Sequence, residues 1–281
     1  MLPVLCYNNQ NVGLYGVFFM KGSGGLKKDA SRIYLLDELR GFAILCMVVH
    51  HAFYDVGFVL KLDWGYRVFD FLCIFQPIFW AIFIIISGIC SRLSRNTLRR
   101  GLIVFAGGAA VTIVTAVIMP AMGITGAEIY FGILSCLGSC MIITGLIMPL
   151  IEKSNEKVGM LVSALLFLAT YSITSSRTLF FGLVKLPDVL FSTDITAPLG
   201  FHTEYFASAD YFSLIPWFFM FLFGAFVGKY AKAGAFPAFT YKSRSKFFQK
   251  VGKNSLWVYL LHQPALYLIM YIISFFQLLA L

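Results

Sequence analysis

Long stretches without a charged side chain occupy most of this 281-residue chain, and they decide what it can fold into. A helix needs about 20 apolar residues to cross a hydrocarbon core of about 30 Å. Residues 71–91, 101–120, 129–151, 158–176, 211–228 and 254–281 are uncharged and close to that length. A seventh stretch, 39–60, has the length but carries His50, His51 and Asp55. Lipid offers no hydrogen bonds to an open backbone, so such stretches have to be helical. The expectation is an all-α, polytopic membrane helix bundle of about seven transmembrane helices.

Composition agrees. Charged residues make up 12% of the chain and hydrophobic ones 59%, with a mean hydropathy of +0.83, against about 25% charged in a soluble domain. An ordinary cytoplasmic enzyme, a disordered chain and a nucleic-acid binder are all excluded. The net charge of +9 follows from topology instead. With the first loop inside and the sides alternating, 18 of the 22 Lys and Arg fall in inner segments, as the positive-inside rule asks. That places the N-terminus inside, the C-terminus outside and the protein in a cell membrane, in contact with lipid. Residues 1–30 read as an N-terminal extension, poorly ordered or interfacial, because they lack a basic n-region and a small-residue cleavage site. Residues 31–281 read as a single transmembrane domain. Gly107-Gly108 and the Gly224/Gly228 spacing permit close helix contact, within one bundle or in a homodimer.

Ionisable groups inside a span cost several kcal/mol on most estimates and mark function by default. On a helix of 100° per residue, His51 falls about 20° from Arg40 and Asp55 about 60° from it. One stripe thus carries a guanidinium at the inner mouth, an imidazole roughly 16 Å deeper and a carboxylate one turn beyond. A carboxylate four residues on can accept a hydrogen bond from one ring nitrogen and leave the other basic, the arrangement of a general base. The last span adds a second imidazole, His262, with Tyr259 on nearly the same face and Pro264 breaking a backbone hydrogen bond at depth. Gln76-Pro77 does the same in the second span. The cysteines have no zinc-ligand company, and no metal site is expected.

Two loops are longer than a bundle needs. The inner one, 231–253, is basic and suits anionic headgroups or a cytosolic anion. The outer one, 177–210, carries Asp188, Asp194, His202, Glu204 and Asp210 against Arg177 and Lys185, which suits a polar or cationic acceptor.

The run Arg32-Ile33-Tyr34-Leu35-Leu36-Asp37-Glu38-Leu39-Arg40-Gly41-Phe42-Ala43-Ile44, followed by His51 and Asp55, resembles the bacterial relatives of heparan-alpha-glucosaminide N-acetyltransferase. Phe83-Ile84-Ile85-Ile86-Ser87-Gly88, Tyr130-Phe131-Gly132-Ile133-Leu134, Ala209-Asp210-Tyr211 with Pro216-Trp217, and Asn254-Ser255-Leu256 through Tyr259-Leu260-Leu261-His262-Gln263-Pro264 extend the likeness. It covers residues 32–271. One position departs: Ser135 follows the Phe-Gly-Ile-Leu run where relatives often carry histidine.

The resemblance implies a transmembrane acyltransferase domain that takes an acyl group, acetyl above all, from cytosolic acyl-CoA. It hands that group to a hydroxyl or amine of an extracytoplasmic glycan or small acceptor. Acetyl-CoA is then a cosubstrate, with no permanently bound cofactor. His51 and Asp55 become the catalytic residues, Arg40, Arg32, His262 and Tyr259 the acyl-CoA contacts, and Asp210 and Trp217 the acceptor side. A pantetheine arm of roughly 15–20 Å reaches the midplane from one face of the core. The competing expectation is a proton-coupled small-solute transporter that uses His51 and Asp55 as a relay.

Overall fold

The computed structural model describes residues 32–279; the extension expected over 1–30 lies outside them. In chain order the helices are α1 (Tyr34–Phe58), α2 (Asp63–Cys73), α3 (Gln76–Arg92), α4 (Thr97–Ala121) and α5 (Ile133–Leu146). Then follow α6 (Met148–Lys153), α7 (Glu156–Ser176), α8 (Leu214–Lys232), α9 (Lys246–Lys253) and α10 (Ser255–Leu279). Among the described residues the one sheet is a hairpin of β1 (Thr178–Leu179) and β2 (Val184–Lys185), antiparallel with Thr178 opposite Lys185.

Among the described residues five helices, α1, α4, α7, α8 and α10, are long and apolar enough to cross a membrane. The pair α2 and α3 makes a sixth if it is counted as one span bent by 54°. The bend falls at Gln76-Pro77, where proline supplies no N–H to continue α2 and is well tolerated in the first turn of α3. The seventh expected span, 129–151, is shorter than its apolar run: α5 has 14 residues, about 21 Å. It stops at Ile147, and α6 restarts with Pro149 in its first turn. Side-chain caps fix several starts. Asn96 accepts from Arg99 N–H, Asn155 from the N–H groups of Lys157 and Val158, and Ser245 from Phe248 N–H.

The described chain forms two compact units, one running to Ile86 and resuming at Phe236, the other Ser87–Ala235. In the first, α9 docks on the start of α1. The segment expected as an open basic loop therefore contains a helix packed against a span. Gly41 and Gly252 make the approach possible. A Cβ on Gly41 would strike the Phe248 carbonyl, and one on Gly252 the Asp37 carbonyl. In the second unit, α5 lies against α4 through Gly101, Gly108 and Gly138, each backed by atoms of the opposite helix, the close approach that small residues allow in membranes. Gly108 and Gly228, read above as dimer or bundle contacts, sit against Ser135 and against Ile89 and Arg92 of this chain. At the ends of α3 and α8, Glu152 forms ion pairs with Arg92 at 2.7 Å and Lys232 at 2.9 Å. The hydrogen bond from Lys232, with that from Arg92, holds its carboxyl below the usual carboxylate range.

The α1–α9 contact yields a direct stability test. Gly41→Ala should cost about 1–3 kcal/mol by overpacking, seen as a lower thermal midpoint of the detergent-solubilised protein. Gly107→Ala, whose Cβ would meet only Leu134 at 3.9 Å, should leave the midpoint within error. Equal midpoints for Gly41→Ala and wild type would contradict this docking.

Candidate active site

The ionisable residues of α1 sit at two levels. At the helix start, Asp37, Glu38 and Arg40 are 0%, 7% and 1% exposed. Buried charge needs partners inside the protein: Asp37 is ion-paired, and Glu38 is held by hydrogen bonds. Asp37 lies between Arg32, at 2.6 Å, and Arg40, at 3.9 Å. Glu38 accepts from the backbone N–H groups of Arg244 at 2.7 Å and Ser245 at 2.9 Å, and from the Gln249 amide at 2.8 Å. The two arginines expected to meet CoA phosphates therefore face Asp37, and Arg40 is closed off from solvent. Sequence periodicity put Arg40 on the correct stripe but could not show that its neighbour at i−3 would share it.

Three turns deeper, His51 faces α10. His51 Nδ1 is 3.3 Å from His262 Nε2, with ring centroids 5.0 Å apart. His262 Nδ1 is 2.5 Å from the backbone carbonyl of Tyr259, three residues earlier on the same helix. A carbonyl only accepts, so His262 Nδ1 carries the proton and, in the neutral ring, Nε2 carries the lone pair. His51 must then donate from Nδ1, which leaves His51 Nε2 as the basic nitrogen. The Tyr259 side chain adds a ring 5.6 Å from that of His262. The carbonyl in use belongs to Tyr259, whereas Pro264 leaves the carbonyl of Leu260 without its helical partner.

Asp55 does not orient His51. Its carboxylate, fully buried, accepts from Gln263 Nε2 at 3.2 Å to each oxygen, and among the described residues no hydrogen bond joins it to His51. The amide that displaces the expected partner comes from α10, so spacing within α1 could not reveal it. Gln263 stood in plain view in the His262-Gln263-Pro264 run, yet nothing in the sequence paired it with Asp55. His50, about 80° off the stripe, turns to α2, with Nε2 3.4 Å from Cys73 Sγ and its ring against Phe69 at 4.5 Å.

Asp210 and Trp217 belong to the second unit. Asp210 Oδ2 accepts from Ile133 N–H at 3.2 Å, at the N-terminus of α5. A carboxylate there satisfies an orphan donor and suits the helix dipole. Trp217 is 7% exposed and packs between Phe167 and Phe212, at 5.6 and 5.7 Å. Ser135 lies in the first turn of α5, buried against Gly108. Among the described residues no cluster of three His, Cys, Asp or Glu is placed to hold a metal ion.

A helical multi-pass membrane protein with a half-buried imidazole pair belongs among the membrane-embedded catalysts and carriers. The family model described as heparan-alpha-glucosaminide N-acetyltransferase, catalytic, matches residues 32–264. The chain is a member of that family and hence an acetyltransferase of the transmembrane type. The match ends just past the His262-Gln263 pair that α10 brings to α1. Neither the curated proteins nor the solved structures give a match.

The Asp55–Gln263 contact carries its own test. Gln263→Ala leaves a buried carboxylate without its amide and should lower stability by about 1–3 kcal/mol. Asp55→Asn in that background should recover most of the loss, because a neutral amide is cheaper to bury. Unfolding midpoints of the two variants in the same detergent decide the matter, and no loss in Gln263→Ala would contradict the contact.

Proposed function

We propose that this protein moves an acetyl group from cytosolic acetyl-CoA to a hydroxyl or amine of a glycan or small acceptor on the outer side. In this reading it sits in a bacterial plasma membrane with its N-terminus inside. The observation that carries the reading is the His51–His262 contact, which joins two helices long and apolar enough to cross a membrane and lies within the segment that matches the acetyltransferase family.

The tautomers derived above define a mechanism. His51 Nε2 accepts the proton of the acceptor hydroxyl or amine as that group attacks the thioester carbonyl carbon. A C–O or C–N bond forms and the C–S bond breaks. The leaving CoA thiolate takes the proton from the imidazolium, so His51 returns to its starting state and free CoA thiol is released. While His51 is protonated, its Nδ1–H is held by His262 Nε2, and the Tyr259 carbonyl keeps His262 in the accepting tautomer. The Asp55 carboxylate, one turn on, favours the positive ring through space, as opposite charges do where water is scarce. The family match favours this transfer over proton-coupled transport.

The test uses purified protein, acetyl-CoA and glucosamine as a probe acceptor, with free thiol and acetylated sugar both quantified. Removing a general base lowers turnover by about 10²–10⁴-fold, so His51→Ala should fall in that range with little change in KM for acetyl-CoA. Asp55→Asn should lose less. Full turnover by His51→Ala would overturn the mechanism, and thiol release without any His51 dependence would point to chemistry elsewhere.

A further inference from the structure

We propose that the groove beside the start of α1 and the lysine face of α9 holds the phosphate groups of the donor's nucleotide half. The proposal rests on the acetyl-CoA reading above and names the subsite that grips the donor. The groove, about 480 Å³, is lined by Tyr34, Ser243, Lys246, Gln249, Lys250 and Lys253. That volume suits a ligand of nucleotide size, and the lining contains three ammonium groups and no carboxylate.

Helix energetics do not favour the lysines where they are. Residues 246, 250 and 253 fall within an arc of about 60° on one helix face. Like charges at i, i+4 destabilise a helix, and Lys246, in the first turn of α9, also opposes the helix dipole. None of the three makes an ion pair or side-chain hydrogen bond among the described residues. The neighbouring carboxylate, Glu38, accepts through Oε1 from the Arg244 and Ser245 backbone and from Gln249. Those bonds fix α9, and with it the lysines, on α1. Uncompensated positive charge on a rigid frame is the electrostatic requirement for a multiply charged phosphate ligand.

The contrast with the arginines strengthens the assignment. Arg32 and Arg40 face Asp37, and Arg40 is buried, whereas Lys246 and Lys250 of α9 are exposed and Lys253 is half-buried. The reach is also suitable. Tyr34 precedes His51 by 17 residues on one helix, roughly 25 Å along its axis. A pantetheine arm of roughly 15–20 Å extended by its pyrophosphate covers that length.

Phosphate chemistry is shared by nucleotides and anionic lipid headgroups, so the experiment separates them. The full chain is placed in nanodiscs of phosphatidylcholine alone, or with phosphatidylglycerol added, and titrated with coenzyme A. The triple variant Lys246→Gln, Lys250→Gln, Lys253→Gln should bind coenzyme A at least tenfold more weakly than wild type in neutral discs. Its turnover of acetyl-pantetheine, which has no phosphates, should equal that of wild type. The triple Lys→Arg variant should restore coenzyme A affinity, and Lys242→Gln, outside the groove, should leave it unchanged. If the glutamine triple does not survive purification, each single substitution should weaken binding about threefold. Equal affinity in wild type and triple variant overturns the subsite and leaves the acetyl-CoA reading intact. Absence of coenzyme A binding to wild type overturns that reading and the subsite with it. An effect of the lysines confined to discs with phosphatidylglycerol assigns them to lipid and also overturns the subsite.

Discussion

A carboxylate or an imidazole within an apolar bundle has to find its hydrogen-bond partners inside the protein, because hydrocarbon supplies none. Helix α1 carries more such groups than its length can satisfy. For three of them the partners come from the far end of the chain: the backbone around Arg244 and Ser245 for Glu38, His262 for His51, and Gln263 for Asp55. This demand accounts for a unit that is discontinuous in sequence, with residues from Phe236 onward joined to those before Ile86. The glycines at 41 and 252 serve it as well. They let two backbones come close enough for the Glu38 bonds to form, and any side chain there would hold them apart.

The same pairing sets the chemistry. A lone buried histidine has two tautomers and two ring flips, and either nitrogen can be basic. The Tyr259 carbonyl removes that freedom from His262, and His262 in turn removes it from His51. In the proposed mechanism, preorganisation of this kind leaves one nitrogen of His51 as a base without reorientation during the reaction. At the start of α1, pairing has the opposite effect: Asp37 occupies the guanidinium groups that a sequence motif would assign to substrate.

The helical architecture was legible because apolar runs of span length admit no other backbone, and α1, α4, α7, α8 and α10 lie where those runs predict. Hydropathy was blind to what interrupts a run. Pro149 cuts α5 short, and Gln76-Pro77 bends the second span while the runs read through both. Helix α9 was hidden for a different reason, since its eight residues are too few and too charged to register as a span. The stripe of α1 singled out His51, and the resemblance singled out His262, the residue it meets on α10. Partner choice was the illegible part. Spacing on one helix suggested Asp55 for His51, whereas a residue from another helix holds each of them. The resemblance assigned Asp210 to the acceptor side, and spacing could not show that its carboxylate also meets the first turn of α5.

The central claim, that His51 and His262 act as one unit, is tested most directly by a double-mutant cycle on acetyl-CoA turnover. The account predicts that His51→Ala is the larger single loss and that adding His262→Ala lowers turnover little further, because the second imidazole works only through the first. Losses that multiply in the double variant would show two independent contributions and contradict the coupled pair.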